Sequence, residues 1–166
     1  MVRLAATVML VRPADEKRFE VFMLRRSEAS HFVPDVYVFP GGTVDESDMT
    51  GRASARARGI DPVALREQFR AKHAPAFPAP FGTPEPQQAA GLLIAAVREL
   101  FEEAGVLLAC DAHARPLSDA DLAPHRQRLH DARRAVQAGE LTFAGLLEEL
   151  DVYANAHALA LFSQWI

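Results

Sequence analysis

The sequence predicts an α/β fold, in the broad sense an α+β arrangement of helices on mixed strands, and three observations support this class. Short β-rich runs occupy residues 4–11, 19–24 and 36–39, with turn residues between them. A later segment carries apolar residues at helical spacing and stops at Gly105. Cap residues signal two more helices, over residues 118–138 and 143–150.

The first two runs are predicted to form a β-hairpin, because residues 13–18 between them are charged and turn-forming. The third run is a short strand that ends at a Pro40-Gly41-Gly42 turn. Glycine adopts backbone conformations that other residues avoid, so this turn can bring the main chain close to a ligand.

The predicted helix before Gly105 places three carboxylates on one stripe. Glu99, Glu102 and Glu103 follow the i, i+3, i+4 spacing and project together. The apolar residues of the same helix face the other way, at Leu93, Val97, Leu100 and Ala104. Three acids on one patch repel one another unless something neutralises them, and a divalent cation such as Mg²⁺ does so with oxygen ligands. The alternative is an ordinary solvated face, on which Arg98 and Glu102 form an i, i+4 ion pair.

This acidic string resembles the second half of the Nudix box, G-x5-E-x7-R-E-U-x-E-E-x-G-U, in which U is a bulky aliphatic residue. The Gly41-Gly42 pair resembles the opening of the box, Asp48 stands where the pattern has glutamate, and Asp45 stands where many members have one. Between Asp48 and Arg98 lie 49 residues, far more than the plain pattern allows. One branch of the Nudix hydrolase superfamily, which includes animal coenzyme A diphosphatases and bacterial relatives, is similar in carrying an insertion inside the box.

The insertion is predicted at about residues 49–83, within a single domain that covers residues 1–166. Asp61 and Pro62 make a good N-cap and first helical position, so a helix should run from there to about residue 72. Residues 74–86 contain five prolines, which favour an extended loop or lid. Thr83 offers the next N-cap, and residues 106–109 are predicted to form a strand after the acidic helix.

A second resemblance concerns the substrate. Residues 24–42 follow the spacing of the coenzyme A Nudix signature, L-L-T-x-R-S-x3-R-x3-G-x3-F-P-G-G, and agree with it at Arg26, Ser27 and the Phe-Pro-Gly-Gly turn. His31 replaces an arginine of that signature, and Asp35 replaces a glycine. The resemblance implies that Arg26 contacts a phosphate of the substrate.

The superfamily resemblance implies an α/β/α sandwich around a mixed sheet. In similar members a tail like this one leads into further strands, so a chain ending at Ile166 is expected to be short at the C-terminus. Trp165 is expected to be a packing anchor, and a homodimer contact is the alternative.

The resemblance also implies a hydrolase that cleaves the pyrophosphate bond of a nucleoside diphosphate linked to another group. Glu99, Glu102 and Glu103 would bind Mg²⁺ or Mn²⁺, and one of them would serve as the general base. Arg98 would orient a glutamate through a charge-assisted hydrogen bond. These four residues are therefore the expected catalytic group.

Arg26, Gly41 and Gly42 are the expected substrate-binding residues, and coenzyme A or an acyl derivative is the favoured substrate. Two alternatives stay open. The chain could hydrolyse another dinucleotide or a nucleotide sugar, of the ADP-ribose or NADH type. It could also bind a nucleotide on a Nudix fold without turning it over.

Composition limits the remaining classes of function. The net charge of −4 argues against a general nucleic-acid or membrane-surface binder, and no apolar run reaches the 18 residues of a spanning helix. Cys110 is the single cysteine, which excludes an internal disulfide and fits a buried residue in a cytoplasmic protein. The histidines lack metal-binding spacing, and His31 alone falls near the expected site. A solvated face, rather than a nucleotide-binding site, is predicted for four basic residues: Arg126, Arg128, Arg133 and Arg134.

Overall fold

The computed structural model describes residues 3–26, 35–71 and 84–162. Its strands are β1 Ala5–Thr7, β2 Val11–Pro13, β3 Phe19–Val21, β4 Leu24–Arg25, β5 Tyr37–Val38, β6 Gly41–Thr43, β7 Ala57–Arg58, β8 Ala109–Cys110 and β9 Tyr153–Asn155. Its α-helices are α1 Gly51–Ala55, α2 Pro62–Ala71, α3 Pro86–Ala104, α4 Asp119–Leu122, α5 Arg126–Gln137 and α6 Phe143–Glu149. Short 3-10 helices cover Glu46–Met49, Ala123–His125 and Ala156–Ala158.

Within the described ranges the strands are short and pair in four separate ladders. Three of the ladders are antiparallel pairs, β1 with β6, β2 with β3, and β4 with β5. The fourth is mixed, because its central strand β9 runs parallel to β7 and antiparallel to β8. The predicted α/β class with mixed strand pairing is therefore confirmed, although the described strands do not join into one continuous sheet.

The N-terminal hairpin is confirmed as the β2–β3 pair, but the prediction of one strand over residues 4–11 is wrong. β1 pairs with β6, while β2 pairs with β3, so the chain changes partner between them. The buried Val8 lies at this change, and its N–H donates to the carbonyl of Pro40 at 2.8 Å. The short third strand is confirmed as β5, which pairs with β4 rather than with β6.

Helix α3 is the centre of the fold. Val97 and Leu100 are fully buried, as the apolar stripe predicted, and the helix packs against β1, β6, α2 and α5. Gly105 ends the helix in the left-handed conformation with φ of 71°, as predicted. The predicted start is wrong by two residues, because Glu85 is the N-cap and its N–H donates to Gln88 Oε1 at 2.8 Å.

The helix from Pro62 inside the insertion is confirmed as α2, to the edge of the described residues. The strand after α3 is shorter and later than predicted, at β8.

The predicted single helix over residues 118–138 is wrong, because it divides into α4, a 3-10 turn and α5. Pro124 lies in that turn, and proline lacks the N–H that a continuous helix requires. Thr142 caps α6 as predicted, through a hydrogen bond from the Gly145 N–H.

The main hydrophobic core joins α3 to α5 and α6. Phe101 of α3 packs with Phe143 of α6, their ring centroids 6.2 Å apart, and Ala132 and Val136 supply the α5 side. The buried Cys110 confirms the expectation of a buried cysteine.

No helix within the described ranges is long and apolar enough to cross a membrane. Predictions for Ser27, His31, Thr83, most of the proline-rich loop and Trp165 fall outside the described residues.

Candidate active site

Arg98 lies at the centre of the candidate site and is only 5% exposed. Its Nε and Nη2 donate to the carboxylate of Asp48, at distances between 3.0 and 3.2 Å. Nη2 also donates to the carbonyl of Thr43 at 2.8 Å, and Nη1 donates to Glu102 Oε1 at 2.8 Å. One buried guanidinium therefore connects α3 with β6 and with the 3-10 helix Glu46–Met49.

Asp48, at the first acidic position of the interrupted motif, is a buried partner of Arg98. Its carboxylate is 1% exposed and also accepts the Asp45 N–H at 3.0 Å. Burial raises the pKa of Asp48, while the hydrogen bonds from Arg98 act in the opposite direction. Burial by itself would lower the pKa of Arg98, but its hydrogen bonds to Asp48 and Glu102 outweigh that effect and raise it. Asp45 is 58% exposed and lies 3.7 Å from Arg98.

Glu99 points from α3 toward the glycine turn. Its side chain is 12% exposed, and its Oε1 lies 3.0 Å from Arg98 Nη1. Burial raises the pKa of Glu99 to about 7; the Arg98 charge opposes the rise, and the Glu102 charge adds to it. A Cβ atom at Gly42 would lie 2.5 Å from Glu99 Oε1, so only glycine leaves room for this carboxylate in its present position.

Glu103 connects the end of α3 with the same turn. Its Oε2 accepts a hydrogen bond from the Gly41 N–H at 2.8 Å. On its other side Gly41 packs against β1, where an added Cβ would lie 2.4 Å from the carbonyl oxygen of Ala6. Gly41 and Gly42 are thus both packed closely against an acidic side chain of α3, Glu103 at Gly41 and Glu99 at Gly42.

An open cleft of about 340 Å³ lies beside Glu103. Arg26 and Gly41, two of the predicted substrate-binding residues, line it together with Glu103. The remaining lining residues come from β4, from β5 and the residue after it, and from α5, namely Leu24, Arg25, Val38, Phe39, Arg133 and Gln137. Gly42 and Glu99 are not among the lining residues but lie against each other next to Gly41. The structure therefore brings Arg26, the glycine turn and the acidic helix into one region.

The sequence reasoning missed the contribution of α5. Arg133 donates from Nε to the Glu102 carbonyl and from Nη2 to the Glu103 carbonyl, each at 2.7 Å. Gln137 donates to the Glu102 carbonyl at 2.6 Å. The prediction of a solvated face is therefore wrong for Arg133, whereas Arg134 is 72% exposed and pairs with Asp131.

The signal that could have identified Arg133 was the register of α5. Ala132 and Val136 are its core positions, and Arg133 and Gln137 follow each of them by one residue. They therefore form an i, i+4 pair at the edge of the buried face, where long polar side chains reach a neighbouring element.

The three glutamates share one face of α3, but each makes different contacts. Glu102 accepts from Arg98, Glu103 accepts from Gly41, and Glu99 lies against Gly42. The i, i+4 ion pair between Arg98 and Glu102 is present, as the alternative interpretation expected, but the face is not an ordinary solvated one, because the Glu99 and Glu102 side chains are only 12% and 13% exposed. Within the described ranges, no three acidic, histidine or cysteine side chains already converge closely enough to hold a metal ion.

The fold resembles that of a solved protein. A Nudix hydrolase crystal structure from Alicyclobacillus acidocaldarius matches with a TM-score of 0.57 and 23% identity, over 94% of this chain and 58% of that one. This likeness shows a Nudix-type fold. The family model described as the NUDT19 Nudix domain matches residues 1–166. The chain belongs to that family, and the predicted superfamily is confirmed.

Curated relatives support the same branch. The protein named acyl-coenzyme A diphosphatase NUDT19 of Gallus gallus is 32% identical over an alignment of 192 positions, which covers 99% of this chain and 49% of the relative. Its namesake in Xenopus laevis is 29% identical over 164 residues, covering 89% of this chain and 42% of the relative. The chain thus spans about half the length of these relatives.

Proposed function

We propose that this chain is a Nudix hydrolase that cleaves the pyrophosphate bond of coenzyme A or an acyl-CoA. The observation that carries the proposal is the buried Arg98 cluster, which holds Glu102 and contacts Glu99 beside a cleft lined by Arg26. The names of the avian and amphibian relatives support the choice of substrate. A diphosphate carries negative charge, and Arg26 lines the cleft with a positive charge that would pair with it. Arg25 and Arg133 also line the cleft, but Arg25 pairs with Asp35 and Arg133 binds main-chain carbonyls of α3.

The proposed enzyme uses Mg²⁺ or Mn²⁺, and the chemistry of the donor set fits such an ion. Glu99, Glu102 and Glu103 supply carboxylate oxygens, the ligands that hard divalent cations prefer. The raised pKa of Glu99, about 7, reflects its burial near other carboxylates, a situation that a bound cation relieves. When bound, the ion would neutralise phosphate charge and acidify the attacking water.

The chain's own residues prepare the reaction. Arg98 holds Glu102 in one orientation, because its guanidinium is itself fixed by Asp48 and the Thr43 carbonyl. Arg26 would bind a phosphate of the substrate, and the Gly41-Gly42 turn would set how closely the diphosphate approaches α3. One glutamate of the three would take the proton of the attacking water, and the departing phosphate half would leave through the open cleft.

The test is a hydrolysis panel read by mass spectrometry. The purified chain is incubated with Mg²⁺ and a mixture of coenzyme A, acetyl-CoA, ADP-ribose, NADH and a nucleotide sugar, and a parallel sample contains EDTA. We expect 3′,5′-ADP together with 4′-phosphopantetheine from coenzyme A and its S-acetyl form from acetyl-CoA, with no products in EDTA. Cleavage of ADP-ribose, NADH or the nucleotide sugar alone would keep the reaction and reject the substrate. A folded chain that binds nucleotide and cleaves nothing would be a non-catalytic Nudix-fold protein.

Three further expectations belong with this proposal as predictions. They are a cytoplasmic location, a homodimer contact, and a single domain over residues 1–166 with an insertion at about 49–83. The interval from Asp48 to Arg98 accommodates α1, β7 and α2 of that insertion. The interaction between Arg98 and Asp48 nevertheless keeps the two halves of the motif together across it.

The two neighbouring glycines are expected to respond differently to alanine. At Gly42 the added methyl group meets the end of the Glu99 side chain, which can rotate away, so stability should change by less than about 1 kcal/mol. The displaced carboxylate should weaken Mn²⁺ binding by about 10–100-fold. At Gly41 the methyl group meets the Ala6 carbonyl in a paired strand, which cannot move away as easily. The free energy of unfolding should therefore fall by about 1–3 kcal/mol.

Urea unfolding and Mn²⁺ titration of both variants check this prediction. A Gly42→Ala protein that loses as much stability as Gly41→Ala, yet binds Mn²⁺ normally, would contradict it.

A further inference from the structure

We propose that Arg133 is a positioning residue of this site, which fixes the last turn of α3 and thereby the glutamates on it. Its guanidinium binds two consecutive main-chain carbonyls, those of Glu102 and Glu103, with both distances at 2.7 Å. It does so from α5, 30 to 31 residues further along the chain. The inference deepens the proposed function and rests on it for the metal-binding role of the glutamates and for the catalytic measurement.

The end of a helix is where such a contact matters. The last carbonyls of a helix lack partners within it, and their orientation is the first to become irregular when the helix frays. At the end of α3 the Phe101 carbonyl accepts the Gly105 N–H. The next two carbonyls are those that Arg133 binds, and their own side chains are two of the proposed metal ligands. A change of backbone angle at either residue would therefore move a carboxylate.

Charge adds to this geometric effect. The carboxyl end of a helix carries a partial negative charge, and the carboxylates of Glu99, Glu102 and Glu103 add further negative charge at the same end of α3. The Arg133 guanidinium lies at this negatively charged end of α3, so its positive charge offsets part of the repulsion among the three carboxylates. Gly105 keeps the approach open, because a Cβ there would lie 3.3 Å from Arg133 Nη1.

The fold holds Arg133 rigidly at this place. The residue before it, Ala132, is fully buried, and Val136 is also in the core, so α5 is anchored against α3. Gln137, one turn after Arg133, provides a third hydrogen bond, to the Glu102 carbonyl. These contacts are to the backbone, so Arg133 acts through Glu102 and Glu103.

Four variants test the inference. Arg133→Met keeps the side-chain stem and removes the charge and both hydrogen bonds. Arg133→Lys keeps the charge but offers one nitrogen instead of a planar fork. Gln137→Leu removes one neutral hydrogen bond. Arg134→Met is the matched control, because Arg134 neighbours Arg133 on α5 but pairs with Asp131 at the surface.

The measurements are Mn²⁺ binding, followed by the paramagnetic resonance of free Mn²⁺, urea unfolding, and kcat and KM for coenzyme A at saturating Mn²⁺. We expect Arg133→Met to weaken Mn²⁺ binding by about 10–100-fold and to lower kcat by about tenfold or more, with KM changed less than about threefold. The Mn²⁺ affinity and kcat of Arg133→Lys and Gln137→Leu should lie between those of Arg133→Met and the wild type. Arg134→Met should match the wild type.

Two results would overturn the inference. One is equal Mn²⁺ affinity and equal kcat in the Arg133→Met and Arg134→Met proteins. The other is a rise in KM alone, which would make Arg133 a substrate contact. If Arg133→Met does not fold, the test rests on the Arg133→Lys and Gln137→Leu proteins. Wild-type Mn²⁺ affinity and wild-type kcat in both of them would also overturn the inference. A wild type that binds Mn²⁺ but cleaves nothing would reject the proposed function, while the Mn²⁺ data would still decide the role of Arg133.

Discussion

Replacing Asp48 by alanine is expected to lower the free energy of unfolding by about 3–5 kcal/mol, because it leaves the charge of Arg98 buried without its main partner. Asp48 and Arg98 are 1% and 5% exposed, so water cannot replace the lost carboxylate without opening the core. A loss of this size is a large fraction of the stability of an ordinary domain. Urea unfolding of the metal-free protein at constant pH measures it.

Two companion variants separate the causes of the Asp48 effect. Asp48→Asn keeps the shape of the side chain and removes only its charge. If electrostatics dominate, the free energy of unfolding should fall nearly as much as in Asp48→Ala. Asp45→Ala removes an exposed acid 3.7 Å from the same arginine, and should cost no more than about 1 kcal/mol. Equal losses for Asp48→Ala and Asp45→Ala would show that Arg98 does not depend on Asp48.

Replacing Glu102 by glutamine is expected to lower kcat for the substrate by about two to four orders of magnitude. The amide oxygen can still accept the hydrogen bond from Arg98 Nη1, so the fold and the orientation of the side chain should survive. What is lost is a negative charge, which the proposed mechanism needs for holding the cation or for taking a proton. Rates from the mass-spectrometric assay, compared with urea unfolding of the same sample, check both parts.

Glu20→Gln is the matched control for Glu102→Gln. Glu20 belongs to the N-terminal hairpin and pairs with Arg12 at an exposed position, so the same change of charge should leave kcat unaltered. Full activity of Glu102→Gln would remove this residue from the proposed catalytic group. It would leave Glu99 and Glu103 to be tested in the same way.

Much of the site was predictable because its signals are local. The Glu99, Glu102 and Glu103 stripe follows from helical spacing, and Gly105 ends α3 because glycine accepts the left-handed conformation. The insertion helix begins at Pro62 for an equally local reason, its N-terminal cap. Even the break between α4 and α5 had a local signal in Pro124, which the helical pattern around it obscured.

Other features required the folded chain, since they depend on residues far apart in sequence. The sequence placed Asp48 in the interrupted motif but did not assign it a partner. The structure shows it buried against Arg98, 50 residues away. Likewise, the basic residues of α5 look alike in the sequence. Only the packing of Ala132 and Val136 directs Arg133 to the end of α3 and leaves Arg134 in solvent.

The sequence by itself determined the Nudix family, the acidic helix, its glycine end and the glycine turn, because each is encoded within a few neighbouring residues. The tertiary structure decided which charges are buried together, which carbonyls Arg133 binds, and that Arg26 shares a cleft with Glu103. The physical reason is the range of the forces involved. Helix and turn preferences act within one or two turns of chain, whereas burial and ion pairing depend on which elements the hydrophobic core brings into contact.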